Sequence, residues 1–175
     1  ITSGVWQIIL NPTRVVEGQY DLWLPSENVL NRGTGFLYPD EEVTLTIPST
    51  ADKVISVGAY DALTFSYASF SGRGYTWQAQ RTKPDLVAPG VNVRTTAVGG
   101  GVTVVSGTSF ATPFVTGASA LLMEWGIVRG NDPFLYGEKV KAYLRRGARE
   151  LPGFGKYPNR EVGYGRLCLE RSLPD

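Results

Sequence analysis

The sequence contains no histidine among its 175 residues, and this absence limits the chemistry that the chain can perform by itself. Imidazole is the most frequent general base in enzymes, so a base of that kind would have to come from residues outside this chain. The single cysteine, Cys168, excludes a disulfide within the chain. One cysteine without any histidine also excludes a structural zinc site, and we interpret Cys168 as a core residue.

The sequence also has little of what marks membrane and nucleic-acid-binding proteins. We find no stretch that is long and apolar enough to predict a membrane span, and no signal peptide opens the chain. The net charge is only +1 at pH 7, so nothing indicates nucleic acid or an anionic membrane surface as a partner. The 42% hydrophobic and 19% charged content is typical of a globular protein.

Residues 1–46 have the alternating pattern of antiparallel β-strands. The alternation is clearest in GVWQIIL, QYDLWLP and VTLTI, with asparagine, proline and glycine between the runs. Three strands are too few to close a sandwich. We therefore interpret residues 1–46 as the tail of an inserted antiparallel β-sandwich that begins upstream.

From residue 47 onwards the pattern changes to that of an α/β protein. KVISVGA is apolar without alternation, as in a parallel strand buried on both faces, and PDLVAPG, VNVRTT and GVTVVSG predict shorter strands. SFATPFVTGASALLMEW predicts a core helix that ends at Gly126. NDPFLYGEKVKAYLRRGA predicts an amphipathic helix that is capped by Asp132 and ends at Gly147. Strands alternating with helices predict an α/β layer fold.

The segment VVSGTSFATP carries the clearest chemical signal. An apolar strand ends at Val105, a Ser-Gly turn follows, and Thr108 and Ser109 open the core helix. A hydroxyl in this place lies at the positive end of a helix, where free backbone N–H groups can stabilise an oxyanion. Taken alone, a turn followed by an ordinary helix cap explains the segment equally well.

The sequence around this segment favours a catalytic serine over an ordinary helix cap. GTSFATP resembles the G-T-S-x-A-x-P signature around the nucleophile of subtilisin-like serine peptidases, the subtilases. VISVGAYD, ASFSGRG, KPDLVAPGVNV and GYGRLCLERSL resemble further segments of that family, in the family's order.

The resemblance implies a three-layer α/β domain with a parallel sheet, of which residues 47–175 would be the C-terminal part. It implies that Ser109 is the nucleophile and that Gly107 and Thr108 form the loop that presents it. Ile47, Pro48 and Ser49 resemble a wall of the substrate pocket, with Pro48 in the cis form that the family often shows.

The resemblance also implies that this chain is a fragment. In the family the catalytic Asp and His and the oxyanion Asn precede the serine, so all three should precede residue 1. The parent would be a serine endopeptidase that cleaves polypeptides through an acyl-enzyme, and the fragment alone would be inactive. We expect it to associate with the missing N-terminal part or with itself.

Three further properties follow from the resemblance alone. Residues 1–46 look like the end of a jelly-roll insertion of the kind found in clostridial germination proteases. The location would then be extracellular or spore-associated. Subtilases often bind calcium, for which the triplet Asp40, Glu41 and Glu42 is a candidate, although a solvated turn explains it more simply. We assign no metal ligand and no cofactor.

Three other interpretations stay open at this stage. The parent could be a pseudoenzyme that keeps Ser109 and acts as a regulatory or binding protein. The chain could be a binding module whose β segment holds carbohydrate or peptide. A serine esterase is the third, although the G-x-S-x-G elbow of that class is absent.

Phe110 leads to a prediction about oxidation. The resemblance implies that many relatives carry methionine beside the nucleophile, and phenylalanine cannot form a sulfoxide. We expect the whole protein to keep its activity in hydrogen peroxide, whereas a Phe110→Met variant loses it progressively. Equal rates of inactivation in a peroxide time course would contradict this expectation.

Overall fold

The computed structural model describes residues 2–18, 20–25, 29–75 and 82–174. The chain divides into two compact units, Ile1–Pro39 and Asp40–Asp175. Residues 40–46, which we grouped with the β segment, therefore belong to the larger unit. The assignment of residues 1–46 to an inserted domain stays a prediction.

The strands predicted in GVWQIIL, QYDLWLP and VTLTI are wrong for the described residues of these runs, whereas Gln19 of the second run lies outside the described residues. None of the described residues between 2 and 47 lies in an α-helix or a β-strand. The apolar side chains of these runs are exposed, among them Trp6 at 68%, Ile8 at 72% and Leu22 at 52%. An alternating segment becomes a stable strand only when neighbouring strands and a second apolar layer pack on it, and the exposure indicates that these residues lack that layer.

The strands of the larger unit follow the sequence predictions more closely. The structure describes β1 (Val57–Asp61), β2 (Ser66–Tyr67), β3 (Gly74–Tyr75), β4 (Thr82–Lys83), β5 (Leu86–Pro89), β6 (Val93–Thr96) and β7 (Val102–Val105). One sheet contains three strands in the order β2-β1-β5. Within it β1 and β5 are parallel, with Val57 opposite Leu86 and Tyr60 opposite Pro89. β3 pairs with β4, and β6 pairs with β7, both antiparallel. The predicted buried parallel strand is thus confirmed.

The helices are α1 (Thr108–Met123), α2 (Gly137–Gly147) and α3 (Leu169–Ser172), and a π-helical turn, Glu124–Val128, continues α1. Gly126 therefore does not end the first helix. It lies in the π turn, where an added Cβ would be 2.7 Å from Leu135 Cδ2.

Asp132 does not cap α2, which begins later, at Gly137. Its carboxylate instead accepts hydrogen bonds from Lys139 Nζ at 2.6 Å and from the Tyr143 hydroxyl at 3.0 Å. Because Lys139 and Tyr143 lie within α2, the Asp132 carboxylate binds their side chains and not the backbone N–H groups at the start of α2.

The core lies between the sheet and one side of α1. Its buried apolar residues include Ala59, Leu86, Ala88, Ala111, Val115, Ala118 and Leu122. Other apolar residues of α1 remain exposed, with Phe114 at 43% and Leu121 at 52%. By length and composition alone, Thr108–Val128 could cross a membrane, which corrects our expectation that no stretch would qualify. Its packing against β1 and β5 gives it the role of a core helix.

A buried carboxylate joins α2 to the sheet. The Asp85 side chain is fully buried, just before β5, and it accepts a 2.7 Å hydrogen bond from the Ser56 N–H. It also pairs with Lys83 at 3.1 Å, with Lys141 at 3.2 Å, and with Arg145. Burial by itself raises the pKa of Asp85, but the Ser56 N–H and the three cations outweigh it and hold the pKa below its ordinary value.

Lys141 lies beside Asp85 and is also largely buried, but because it is a cation burial shifts its pKa downwards. Burial lowers the pKa of Lys141 to about 8, although the neighbouring Asp85 carboxylate acts to raise it. The ammonium donates to the Asp52 and Val54 carbonyl oxygens, each at 2.8 Å. Asp85 is therefore the carboxylate that Lys83, Lys141 and Arg145 share among the ion pairs of the described residues.

Replacing Asp85→Asn should destabilise the fold strongly, because it leaves buried ammonium groups without their counter-charge. We expect a loss of roughly 3–5 kcal/mol in the free energy of unfolding, measured by urea denaturation at neutral pH. A folded-state pKa below 3.8 means that the contribution is present above pH 3.8 and is lost as the pH falls through the folded-state value. The two proteins should therefore converge in stability in acid.

Glu124→Gln is the matched control, because it removes one carboxylate from an exposed pair with Arg129. Its cost should stay below about 1 kcal/mol. Equal losses in both variants would contradict the special role of Asp85.

Candidate active site

Ser109 lies in the first turn of α1, and its side chain is exposed. β7 ends at Val105, and the chain then turns through Gly107, whose φ of +152° favours glycine. Helix α1 starts at Thr108 without a side-chain cap. Among the described residues no acceptor binds the Ser109 N–H, so this donor remains available at the positive end of the helix.

The loop that presents Ser109 is held by backbone contacts with the end of β5. The Gly107 N–H donates to the Gly90 carbonyl at 2.8 Å, and the Gly90 N–H donates to the Tyr60 carbonyl at 3.0 Å. The Asn92 N–H donates to Ser106 Oγ at 2.9 Å. The carboxyl ends of the parallel strands β1 and β5 thus fix the start of α1.

This contact has no room for side chains. A Cβ on Gly90 would lie 2.6 Å from Ala59 Cβ, 3.0 Å from the Gly107 carbonyl oxygen and 3.3 Å from Ala111 Cβ. Sequence analysis missed Gly90, although a glycine at the end of a fully buried strand is a known signal of close backbone approach.

Pro113 and Thr112 shape the first turns of α1. Pro113 has no N–H to donate to the Ser109 carbonyl, so this oxygen loses its helical partner. Thr112 Oγ1 donates to the Thr108 carbonyl at 3.0 Å. The helix nevertheless continues to Met123.

The Ser109 hydroxyl has no activating partner in the part of the chain that the structure describes. No side-chain hydrogen bond to Ser109 Oγ occurs among those residues, and the sequence has no histidine. A serine hydroxyl is a weak nucleophile until a base accepts its proton. The structure therefore places an exposed serine hydroxyl and a backbone N–H at the start of a helix, and the described residues supply no base to that hydroxyl.

The predicted pocket residues lie in a turn before β1. Ile47 is 89% exposed, and the peptide bond between Ile47 and Pro48 is cis, as the resemblance implied. The Ser49 carbonyl accepts a 2.6 Å hydrogen bond from Ser56 Oγ. Among the described residues no hydrogen bond joins this turn to Ser109. Their role in a pocket therefore stays a prediction.

The acidic triplet at residues 40–42 does not fit a calcium site. Glu41 pairs with Arg73, and Glu42 pairs with Arg160 at 3.1 Å. Asp40 Oδ1 accepts the Glu42 N–H at 2.9 Å. Among the residues that the structure describes, no group of three or more acidic, histidine or cysteine side chains could hold a metal ion.

Comparison with known proteins places this geometry in a family. The sequence pattern of the subtilase family matches residues 37–165. The chain is 34% identical over 156 residues to serine protease AprX of Bacillus subtilis, covering 78% of this chain and 33% of that protein. It is 39% identical over 134 residues to the mouse membrane-bound transcription factor site-1 protease, covering 74% of this chain and 12% of that protein.

Solved structures agree with the family match. The Clostridium perfringens CspB protease is 50% identical, with a TM-score of 0.77, over 82% of this chain and 30% of that one. The prenylagaramide maturation protease PagA is 31% identical, with a TM-score of 0.62, over 76% of this chain and 46% of that one. The α/β subtilisin-like fold is therefore confirmed, while nothing confirms a jelly roll. The chain spans a third or less of the curated relatives AprX and site-1 protease.

Gly90→Ala should displace the loop that carries Ser109, because the new methyl group overlaps Ala59 and crowds Gly107. We expect a loss of roughly 1–3 kcal/mol in the free energy of unfolding, and slower reaction of Ser109 in the whole protein. Urea denaturation and the rate of labelling by a serine-directed probe measure the two effects.

Gly117→Ala provides the control within α1, since a Cβ there meets nothing within 4 Å. Alanine is also the better helix former, so stability should hold or rise by up to about 1 kcal/mol. A Gly90→Ala chain as stable as the Gly117→Ala chain would disprove the crowding argument.

Proposed function

Because the chain belongs to the subtilase family of serine peptidases, we propose that it carries the nucleophile of a serine endopeptidase whose other catalytic groups lie outside these residues. The observation that carries the proposal is the exposed Ser109 hydroxyl at the start of a core helix, fixed by the Gly90–Gly107 hydrogen bond. The substrates would be polypeptides, in keeping with the protease relatives.

Ser109 Oγ would attack the scissile carbonyl carbon. A histidine from outside this chain would take the hydroxyl proton and later give it to the leaving amine, and an Asp would orient that histidine. The Ser109 N–H, together with an Asn side chain from outside, would stabilise the oxyanion. Water would then hydrolyse the acyl-enzyme, with the same histidine as its base.

Gly107 and Thr108 would form the nucleophile loop in this scheme. Gly107 supplies the backbone conformation that turns the chain into α1, and the Thr108 carbonyl accepts the Thr112 hydroxyl at 3.0 Å. Ile47, Pro48 and Ser49 would contribute to the pocket for the residue before the cleaved bond. The exposure of Ile47 leaves it free to contact a substrate.

The exposed apolar part of α1 supports the proposal that further polypeptide covers this chain in the active enzyme. Phe114 is 43% exposed, Leu121 is 52% exposed and Met123 is 42% exposed. Burial of such side chains is favourable, so association with the remainder of the protein, or self-association of the isolated chain, would remove them from water.

The proposed location is extracellular or spore-associated. The 50% identity to a Clostridium perfringens protease is in keeping with the clostridial resemblance. Relatives carry names that point to different compartments, including a membrane-bound transcription factor site-1 protease and an intracellular serine protease.

Ser109→Ala should abolish both peptide hydrolysis and covalent labelling by a fluorophosphonate probe in the whole protein. We expect kcat to fall by about 10⁶, the loss that follows removal of the nucleophile in subtilisin, a member of this family. Mass spectrometry of the labelled protein should locate the adduct on Ser109. The isolated 175-residue chain should show no hydrolysis.

Ser119→Ala is the control for hydroxyl loss in the same helix, since Ser119 Oγ donates to the Val115 carbonyl at 2.8 Å and is not assigned to catalysis. This variant should keep its labelling. The proposal fails if the adduct lies on another residue, or if the whole protein with an intact Ser109 neither labels nor cleaves peptides.

A further inference from the structure

A cavity of 640 Å³ lies where the end of α2 meets α3, and it contains none of the residues assigned to catalysis. We call it the arginine groove, and it is lined by Arg146, Arg149, Glu170, Arg171, Leu173 and Pro174. Its volume falls within the range of about 300–1,000 Å³ that is typical of ligand-binding pockets.

The backbone around the groove is fixed by a close contact. Gly147 ends α2, and a Cβ on it would overlap both the backbone and the hydroxyl of Ser172 in α3. Ser172 is fully buried, and its hydroxyl donates to the Cys168 carbonyl at 2.8 Å. This contact brings Arg146, beside Gly147, close to Arg171, beside Ser172.

The backbone of Arg149, the third arginine of the groove, is also fixed by close contacts. Arg149 exchanges two backbone hydrogen bonds with Arg166, at 2.9 and 2.7 Å. A Cβ on Gly165 would overlap the Arg149 carbonyl, so the two segments approach too closely to leave room for a side chain at that position. The positions from which the three groove arginines project are therefore set by backbone contacts.

The charges in the groove are not balanced. Among the described lining residues three arginines face a single carboxylate, that of Glu170, whereas the whole chain carries a net charge of only +1. The Arg149–Glu170 pair is long, at 3.4 Å, and the Glu170 side chain is 85% exposed. Such a pair contributes little, so most of the positive charge is left uncompensated.

One donor in the groove also lacks an acceptor. Arg149 Nε is buried and has no hydrogen-bond partner among the described residues. A buried unpaired donor is costly, and most of those in folded proteins find a partner. The Arg149 side chain is 42% exposed as a whole, so a carboxylate in the groove can reach its outer guanidinium nitrogens, whereas Nε itself is closed to solvent.

We propose that the arginine groove binds an acidic peptide segment. Arginine matches the two oxygens of a carboxylate better than lysine does, which favours this residue type for such recognition. Leu173 and Pro174 give the groove an apolar part, so a chain that places an apolar side chain between its carboxylates fits better than a bare inorganic anion.

The test is a binding measurement with a fluorescein-labelled peptide of alternating glutamate and leucine, followed by fluorescence anisotropy. We expect Arg149→Gln and Arg171→Gln to weaken binding by roughly three- to tenfold each. Glu170→Gln should tighten binding, because it removes the competing carboxylate. Arg94→Gln is the matched control, since it removes the same charge from an exposed strand outside the groove and should leave the affinity unchanged.

Several outcomes would overturn the proposal. They are equal binding of a peptide in which glutamine replaces glutamate, equal losses in Arg94→Gln and Arg171→Gln, and weaker binding by Glu170→Gln. Competition by inorganic phosphate as effective as that by unlabelled peptide would assign the groove to simple anions instead. Circular dichroism checks that each variant is folded. Ser109→Ala should bind the peptide normally, so the result does not depend on the peptidase proposal.

Discussion

The contact on which the site depends is made by backbone, where the end of β5 touches the start of α1. The Gly90 carbonyl accepts the Gly107 N–H at 2.8 Å, and Ala59 and Ala111 close the space around it. Because only small residues meet there, no rotamer change can move the helix relative to the sheet. The position of the Ser109 backbone is consequently set by the close packing of the helix on the sheet.

Helix α2 shows how charge is handled in two different ways within one element. Lys141 and Arg145, four positions apart and so on one face, turn towards the buried Asp85 carboxylate. Arg146 of α2, together with Arg149 just beyond the end of the helix, lines the arginine groove, where Glu170 is the one carboxylate among the described lining residues. The pairing of Lys141 and Arg145 with Asp85 stabilises the fold. The groove arginines lack equivalent carboxylate partners among the described residues, and their positive charge is what we propose an acidic ligand would bind.

Features that depend on neighbouring residues could be predicted from the sequence. The placement of Ser109 at a helix start follows from VVSGTSFATP, and the buried character of β1 follows from KVISVGA. The strands predicted before residue 47 fail because alternation is a local pattern, whereas a strand needs partners that these residues do not find. The Asp132 cap fails because Lys139 and Tyr143 compete for its carboxylate.

Contacts between distant residues could not be predicted in the same way. Asp85 and Arg145 are 60 positions apart, and nothing in either segment indicates that they pair. Gly90 and Gly107 each look like ordinary turn residues until the fold brings them together. The motif thus predicts which serine opens the helix, while the packing that holds that serine in place requires the three-dimensional structure.

The hydroxyls of α1 affect how the hydropathy of this segment should be interpreted. Thr112, Thr116 and Ser119 each donate to the carbonyl of the residue four positions earlier, which hides their polarity within the helix. By length and composition Thr108–Val128 is apolar enough to cross a membrane, a criterion that takes no account of these hydrogen bonds. A topology prediction from hydropathy would assign a bilayer span to this segment and would place Ser109 at the membrane surface, although the small residues of the segment pack against a sheet.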